Sequence, residues 1–197
     1  MDKIKLNYTE INIQSTNLNI RALAKEDSSK LFNLYSDIQV QQYTDIEILR
    51  SLSDTQKLIN SWNKEADDQD LIFLGIFSRA TKDFLGTISL FNIDRKHSYG
   101  SLGFQLVKDY WGRGIMNESL NYFIKFVFEE LNFHRIEAQT YIGNERSINV
   151  LSRLGFSKEG LLRQNFLIEN KYEDSYLYSI LRTEFLNTPK IENITCS

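Results

Sequence analysis

Apolar and polar positions alternate along this chain with two different periods, and the strongest run is helical. Met116, Leu120, Phe123, Ile124, Val127, Phe128 and Leu131 fall at i, i+4, i+7, i+8, i+11, i+12 and i+15, a single face at the 3.6-residue period. Asn117, Asn121, Lys125, Glu129 and Glu130 take the opposite face. A helix with such a stripe is held against a sheet, so the glycine-broken turn before it, Tyr110-Trp111-Gly112-Arg113-Gly114, is a fixed platform.

Strand-like alternation first appears over 18–23 and leads into a helix over 25–38 with Leu31, Phe32, Leu34, Tyr35 and Ile38 inward. A second helix opens at the capping-box pattern Ser53-Asp-Thr-Gln56, followed by Leu58, Ile59, Trp62 and Ala66 at helical spacing. The polar segment 39–52 between them shows no period; it either walls a site or simply connects. Extended patterns over 71–77, 84–93 and 99–107, with turns at 81–83 and 94–97, read as an antiparallel meander. After the long helix come a strand over 135–142, a helix opening at Asn144, and strands over 159–168 and 175–181. Strands alternating with helices only in the middle predict an α/β (α+β) domain: a mixed, mostly antiparallel sheet of about seven strands, helices on both faces.

Composition narrows the class. A chain of 197 residues, 42% hydrophobic and 13% aromatic, suits one globular domain, here 1–186 with a flexible tail at 187–197. No apolar run approaches the roughly 20 residues that span a bilayer, and the first eight residues lack the apolar core of a secretory leader, so no membrane partner is expected. With a net charge of −3 and no basic run, nucleic acid is not expected as a partner. Cys196 is the only cysteine, which excludes a disulfide within the chain and a cysteine-based metal site and points to a cytoplasmic location. The sequons at Asn7 and Asn193 are then chance matches, and no metal is expected.

The turn at 110–114 carries the first candidate chemistry. A helix N-terminus leaves backbone N–H groups unpaired and carries partial positive charge. Gly112 and Gly114 can take positive φ and let those groups converge on a phosphate, and Arg113 adds a permanent positive charge. The same residues also suit an ordinary strand-to-helix turn, and the dinucleotide fingerprint fails because Asn117 stands where its third glycine would be. In the later helix Asn144 is the N-cap, Ile148, Leu151 and Leu154 form the inward stripe, Gly155 takes the left-handed C′ position, and Ser147 lies in the first turn.

Three stretches together resemble the GNAT acetyltransferase superfamily, within it the branch of ribosomal-protein N-terminal acetyltransferases (RimJ/RimL-like). They are Tyr110-Trp111-Gly112-Arg113-Gly114-Ile115-Met116-Asn117-Glu118, the strand containing His134-Arg135-Ile136-Glu137-Ala138, and Asn144-x-x-Ser147 running to Leu154-Gly155-Phe156 with Glu159-Gly160 beyond. The likeness extends over about 19–185. It implies a GNAT-type fold whose sheet is splayed at the middle, and acetyl-CoA as cosubstrate, its pantetheine arm lying between the strands 103–107 and 135–142. By the same resemblance the diphosphate rests on N–H groups of Trp111, Gly112, Arg113, Gly114, Ile115 and Met116. A backbone N–H of Leu106 or Val107 bonds the thioester carbonyl, and Asn144 holds the pantetheine. Many relatives have a tyrosine acid where this chain has Leu151; Ser147 is then the candidate to protonate the leaving thiolate, beside its alternative as a plain first-turn hydroxyl. Trp111 fits the branch, and Met116, where the superfamily has a small residue, fills space.

Glu137, Glu169, Glu173 and Asp174 are the candidate bases; Glu137 reads equally as an ion-pair partner of Arg135. His134 and His97 read as structural. The expected reaction is direct acetyl transfer to a primary amine. An α-amine of pKa about 8 demands less of the enzyme than a lysine near 10.4, so a protein or peptide N-terminus is the leading acceptor. A small cationic amine, polyamine or aminoglycoside-type, stays open through the acidic residues Asp45, Glu47, Asp54, Glu65, Asp67, Asp68 and Asp70. A non-catalytic acetyl-CoA sensor is the alternative outside enzymes. The chain is expected to be a monomer or homodimer.

Overall fold

The computed structural model describes residues 8–44, 49–67, 71–168 and 170–187. Expectations on Cys196, both sequon asparagines, the tail from 188, Glu169, Asp45, Glu47, Asp68 and Asp70, and on the side chains of Glu65, Ala66 and Asp67, lie outside the described residues.

Eight strands form one sheet in the order β1-β2-β3-β4-β5-β6-β8-β7. They are β1 (Asn12–Gln14), β2 (Leu18–Ala22), β3 (Ile72–Ser78), β4 (Phe84–Asp94), β5 (Tyr99–Leu106), β6 (Arg135–Tyr141), β7 (Ser157–Ile168) and β8 (Lys171–Leu181). The helices are α1 (Ser28–Ser36), α2 (Ile38–Gln41), α3 (Leu52–Asp67), α4 (Ile115–Glu129), α5 (Glu145–Arg153) and α6 (Arg182–Asn187). All strand pairs are antiparallel except β5 with β6, so the fold is the mixed, mostly antiparallel sheet expected. The eighth strand is β1, whose three residues are too few for an alternation to show in the sequence.

The sheet alternation divides two cores. Ile72, Leu74 and Ile76 of β3 face α4, while Leu71, Phe73 and Phe77 face α1 and α3. Every residue of the expected α4 stripe is buried, and Phe123, Ile124, Val127 and Phe128 are fully so. Each such side chain contributes about 1.5–3 kcal/mol on burial, which anchors the helix and the turn before it.

Two helix expectations are corrected. Ile38 is 71% exposed, because α1 stops at Ser36: Asp37 adopts an extended conformation and its carboxylate accepts from the Gln39 N–H, starting α2 in a new phase. The cap of α3 is Ser51 rather than Ser53; its hydroxyl accepts from the Asp54 N–H at 3.1 Å. The hairpin strands β7 and β8 also start earlier than expected, because most of β7 is exposed and carries no apolar alternation.

The feature that positions everything else is the junction of β5 and β6. They pair only at Tyr99–Arg135, Gly100–Ile136 and Ser101–Glu137, then part. Beyond that point β5 belongs to β4: at Gly86 a Cβ would lie 2.2 Å from the Gln105 carbonyl oxygen, so only glycine allows the two backbones to approach so closely. Meanwhile β6 pairs with β8 along its whole length.

At the base of β6, Arg135 donates from Nε to Glu137 at 2.9 Å and both terminal nitrogens to Glu159 at 2.7 and 2.6 Å. The Arg135 guanidinium and the Ser179 hydroxyl, bonded to Glu159 at 2.5 Å, hold that carboxyl down at about 2 from an ordinary 4.5. A depressed carboxyl contributes stability above its unfolded-state range and loses it as pH falls through 4.5 toward 2. Thermal unfolding of Glu159→Gln should therefore lie below the parent at pH 7 and converge with it as pH falls through that window. An offset independent of pH would contradict the assignment.

Candidate active site at the parting of two strands

After β5 the chain makes a short 3-10 turn, Lys108–Tyr110, passes through Trp111 in extended conformation, and enters α4. Gly112 and Gly114 have φ of +75° and +76°, and a Cβ built at either would meet nothing within 4 Å. Space in front of the turn is open, so the glycines answer a backbone requirement and leave room for a ligand. The first bond inside the helix is Glu118 N–H to the Gly114 carbonyl, which leaves the N–H groups of Ile115, Met116 and Asn117 without intrahelical partners. Met116 itself is 7% exposed and packs in the core, so it presents backbone rather than side chain.

Trp111 fixes this turn from two directions. Its indole N–H donates to the Leu106 carbonyl at the end of β5 (2.8 Å), and the Arg146 guanidinium of α5 lies 4.0 Å over its ring. Arg113 sits 5.5 Å over the Tyr110 ring.

Two cavities meet at the parting. The first, about 320 Å³, is lined by Leu106, every residue from Trp111 through Asn117, and Asn144, Arg146, Ser147 and Arg153. The second, about 580 Å³, lies toward β3, β4 and α3 and is lined by Trp62, Phe73, Thr87, Leu102, Phe166 and neighbours. Tyr43, Thr44, Phe104, Gln105, Asn144 and Ser147 border both. Asn144 caps α5 by accepting from the Ser147 N–H at 3.2 Å, and Gly155 closes the helix with φ of +84°. Leu151 is 1% exposed and lines the second cavity.

The ladder separates the two candidate amide donors. Val107 N–H is bonded to the Leu85 carbonyl at 2.8 Å, so it is engaged. Leu106 opposes Gly86 one position back, and the alternation of an antiparallel pair turns its N–H away from β4, toward the side where β6 has departed. Of the two, Leu106 has the free donor.

Glu137 is drawn to Arg135 and lines neither cavity, so the ion-pair reading describes it and the reading as a base is not carried forward. Asp174 accepts from the Gln164 N–H in the β7–β8 hairpin, and Glu173 lies in that same ladder. His97 bonds Asp94 in its turn, and the exposed His134 bonds Ser98 through its backbone; neither lines the cavities. No carboxylate lines either cavity among the described residues. Also among them, no group of His, Cys, Asp or Glu is arranged to hold a metal ion.

Sequence reasoning missed Arg146 and Arg153. They stand seven residues apart on α5, two turns along one face, and with Arg113 put three cations around the first cavity. A phosphate-rich ligand fits this donor set: helix N–H groups without partners, glycines with open space before them, and three guanidiniums.

A family profile described as "Acetyltransferase (GNAT) domain" matches residues 17–157. An uncharacterized N-acetyltransferase p20 of Bacillus licheniformis is 30% identical over 85% of this chain and 94% of its own. A putative ribosomal N-acetyltransferase, YdaF, of Bacillus subtilis is 29% identical over 85% of this chain and 93% of its own. The solved structure of spermidine N-acetyltransferase from Vibrio cholerae, in complex with CoA and spermine, superposes with a TM-score of 0.79 at 24% identity, covering 88% of this chain and all of that one, 100%. The chain thus belongs to the GNAT acetyltransferase family and is an N-acetyltransferase that uses acetyl-CoA.

Proposed function

We propose that the acceptor is the α-amino group of a peptide or protein, acetylated directly within one ternary complex. The observation that carries this reading is the pair of cavities meeting at Ser147, one lined with cations and the other uncharged among the described residues. Acetyl-CoA supplies an activated acyl group on a thiol leaving group. The N–H groups of Ile115, Met116 and Asn117, with Arg113, Arg146 and Arg153, hold its phosphates, and the Asn144 side chain faces the pantetheine. The Leu106 N–H donates to the thioester oxygen as negative charge develops there, a contribution of about 3 kcal/mol for a preorganised donor. The acceptor nitrogen forms the new C–N bond as the C–S bond breaks; the Ser147 hydroxyl gives its proton to the departing sulfur and takes up, directly or through water, the proton that the acylated nitrogen sheds.

A base at the cleft is dispensable for this acceptor, because an α-amine is partly neutral near pH 7–8. A polyamine acceptor is the competing reading, motivated by the spermidine enzyme of similar fold. The lone cysteine supports a cytoplasmic setting.

Titration calorimetry should show CoA binding to the parent. Gly114→Glu, which combines a positive φ unfavourable to side chains with a carboxylate facing the diphosphate, should weaken binding at least about tenfold. Unchanged affinity, or no CoA binding by the parent, would contradict the diphosphate site. Ser147→Ala keeps the Asn144 cap, which bonds the backbone of residue 147. It should lower kcat by about a hundredfold, the scale of a lost general acid, with KM for acetyl-CoA within about threefold. An unchanged kcat would reduce Ser147 to a helix residue.

A further inference from the structure

The second cavity is built more narrowly than an opening for any amine. One wall is aromatic and rigid: Trp62 stacks on Phe73 with ring centroids 3.7 Å apart and planes at 18°, and Tyr35, 1% exposed, packs against Trp62 at 6.0 Å. Leu58 and Leu71 extend the same wall. A protonated polyamine entering such a surface sheds hydration and meets no countercharge from the described residues. An apolar group gains instead, by about 25 cal/mol for each Å² it removes from water. The cavity also holds a polar group in want of a partner. Thr140 of β6, 4% exposed, lines it, and its hydroxyl oxygen has no hydrogen bond. A buried hydroxyl of this kind is ordinarily satisfied, which marks the β6 side of the cavity as polar.

We propose that the preferred acceptor is a primary amine carrying a large apolar or aromatic group beside the nitrogen, as at the N-terminus of a peptide that begins with phenylalanine or leucine. The side chain seats against Trp62, Phe73 and Leu58, and the amine is left at the Ser147 junction, where the same cavity meets the cation-lined one. Trp62 is therefore a specificity-determining residue. This rests on the acetyl-transfer reading given above, and extends it from a class of nitrogen to the group attached to it.

The test is thiol release from acetyl-CoA with tetrapeptides differing only in the first residue, alongside phenethylamine and spermidine. Peptides beginning with phenylalanine or leucine should exceed those beginning with serine or aspartate by at least about tenfold in kcat/KM, the difference lying in KM. Trp62→Ala should shrink that ratio to within about threefold, and Trp62→Phe should restore it. Phenethylamine separates the two sources of this chemistry: parity with the phenylalanyl peptide assigns the site to free arylalkylamines, and a much lower value assigns it to peptide N-termini. The proposal is overturned by a panel on which serine, aspartate or spermidine ranks first, or by equal rates for all peptides. Bound CoA without turnover on any amine would overturn the transferase reading itself, a result distinct from a reordered panel.

Discussion

Three residue pairs hold the two halves of this sheet together. Among the described residues β5 and β6 are the only parallel neighbours, and their pairing ends at Ser101 and Glu137. Past that point one strand is committed to β4 through the glycine-sized approach at Gly86, and the other to β8 through seven successive pairs. A parting strand exposes backbone donors that a continuous sheet would have paired. In most proteins such donors are a defect; here the Leu106 N–H lies at the gap beside the anchored turn of α4. Trp111 couples the two features, bonding the Leu106 carbonyl with its indole N–H while its ring lies under Arg146.

Charge is distributed unequally on the two sides of the gap. One cavity collects Arg113, Arg146 and Arg153 around free helix N–H groups and suits a diphosphate. The other presents no charge among the described residues and much aromatic surface. Moving an ammonium into such a surface penalises its charged form and lowers its pKa. Glu137 accepts from the Arg135 guanidinium, which also holds Glu159, and lines neither cavity.

What was legible in the sequence was whatever repeats along the chain or is forced by local backbone. The α4 stripe, the left-handed Gly112, Gly114 and Gly155, and the Asn144 cap all follow from residues within a few positions of one another. The strand order could be framed as a mixed sheet, yet β1 was too short to register and the exposed hairpin strands lacked alternation. Ile38 was misplaced because a single aspartate resets the helix phase, a side-chain-to-backbone bond that periodicity ignores. The aromatic wall was invisible for another reason: Tyr35, Trp62 and Phe73 come from two helices and a strand, and each reads separately as ordinary core. Arg146 and Arg153 were passed over because a charge on a helix face looks solvated until something concave stands beside it.

Acetyl transfer at the gap requires the diphosphate at the turn before α4 and the thioester between the parted strands. A crystal structure with bound CoA measures this most directly. It should show phosphate oxygens within hydrogen-bond distance of the amides of residues 115–117, the pantetheine threaded between β5 and β6, and the sulfur near Ser147. A cofactor bound elsewhere, or β5 and β6 hydrogen-bonded together beyond Ser101 and Glu137, would contradict it.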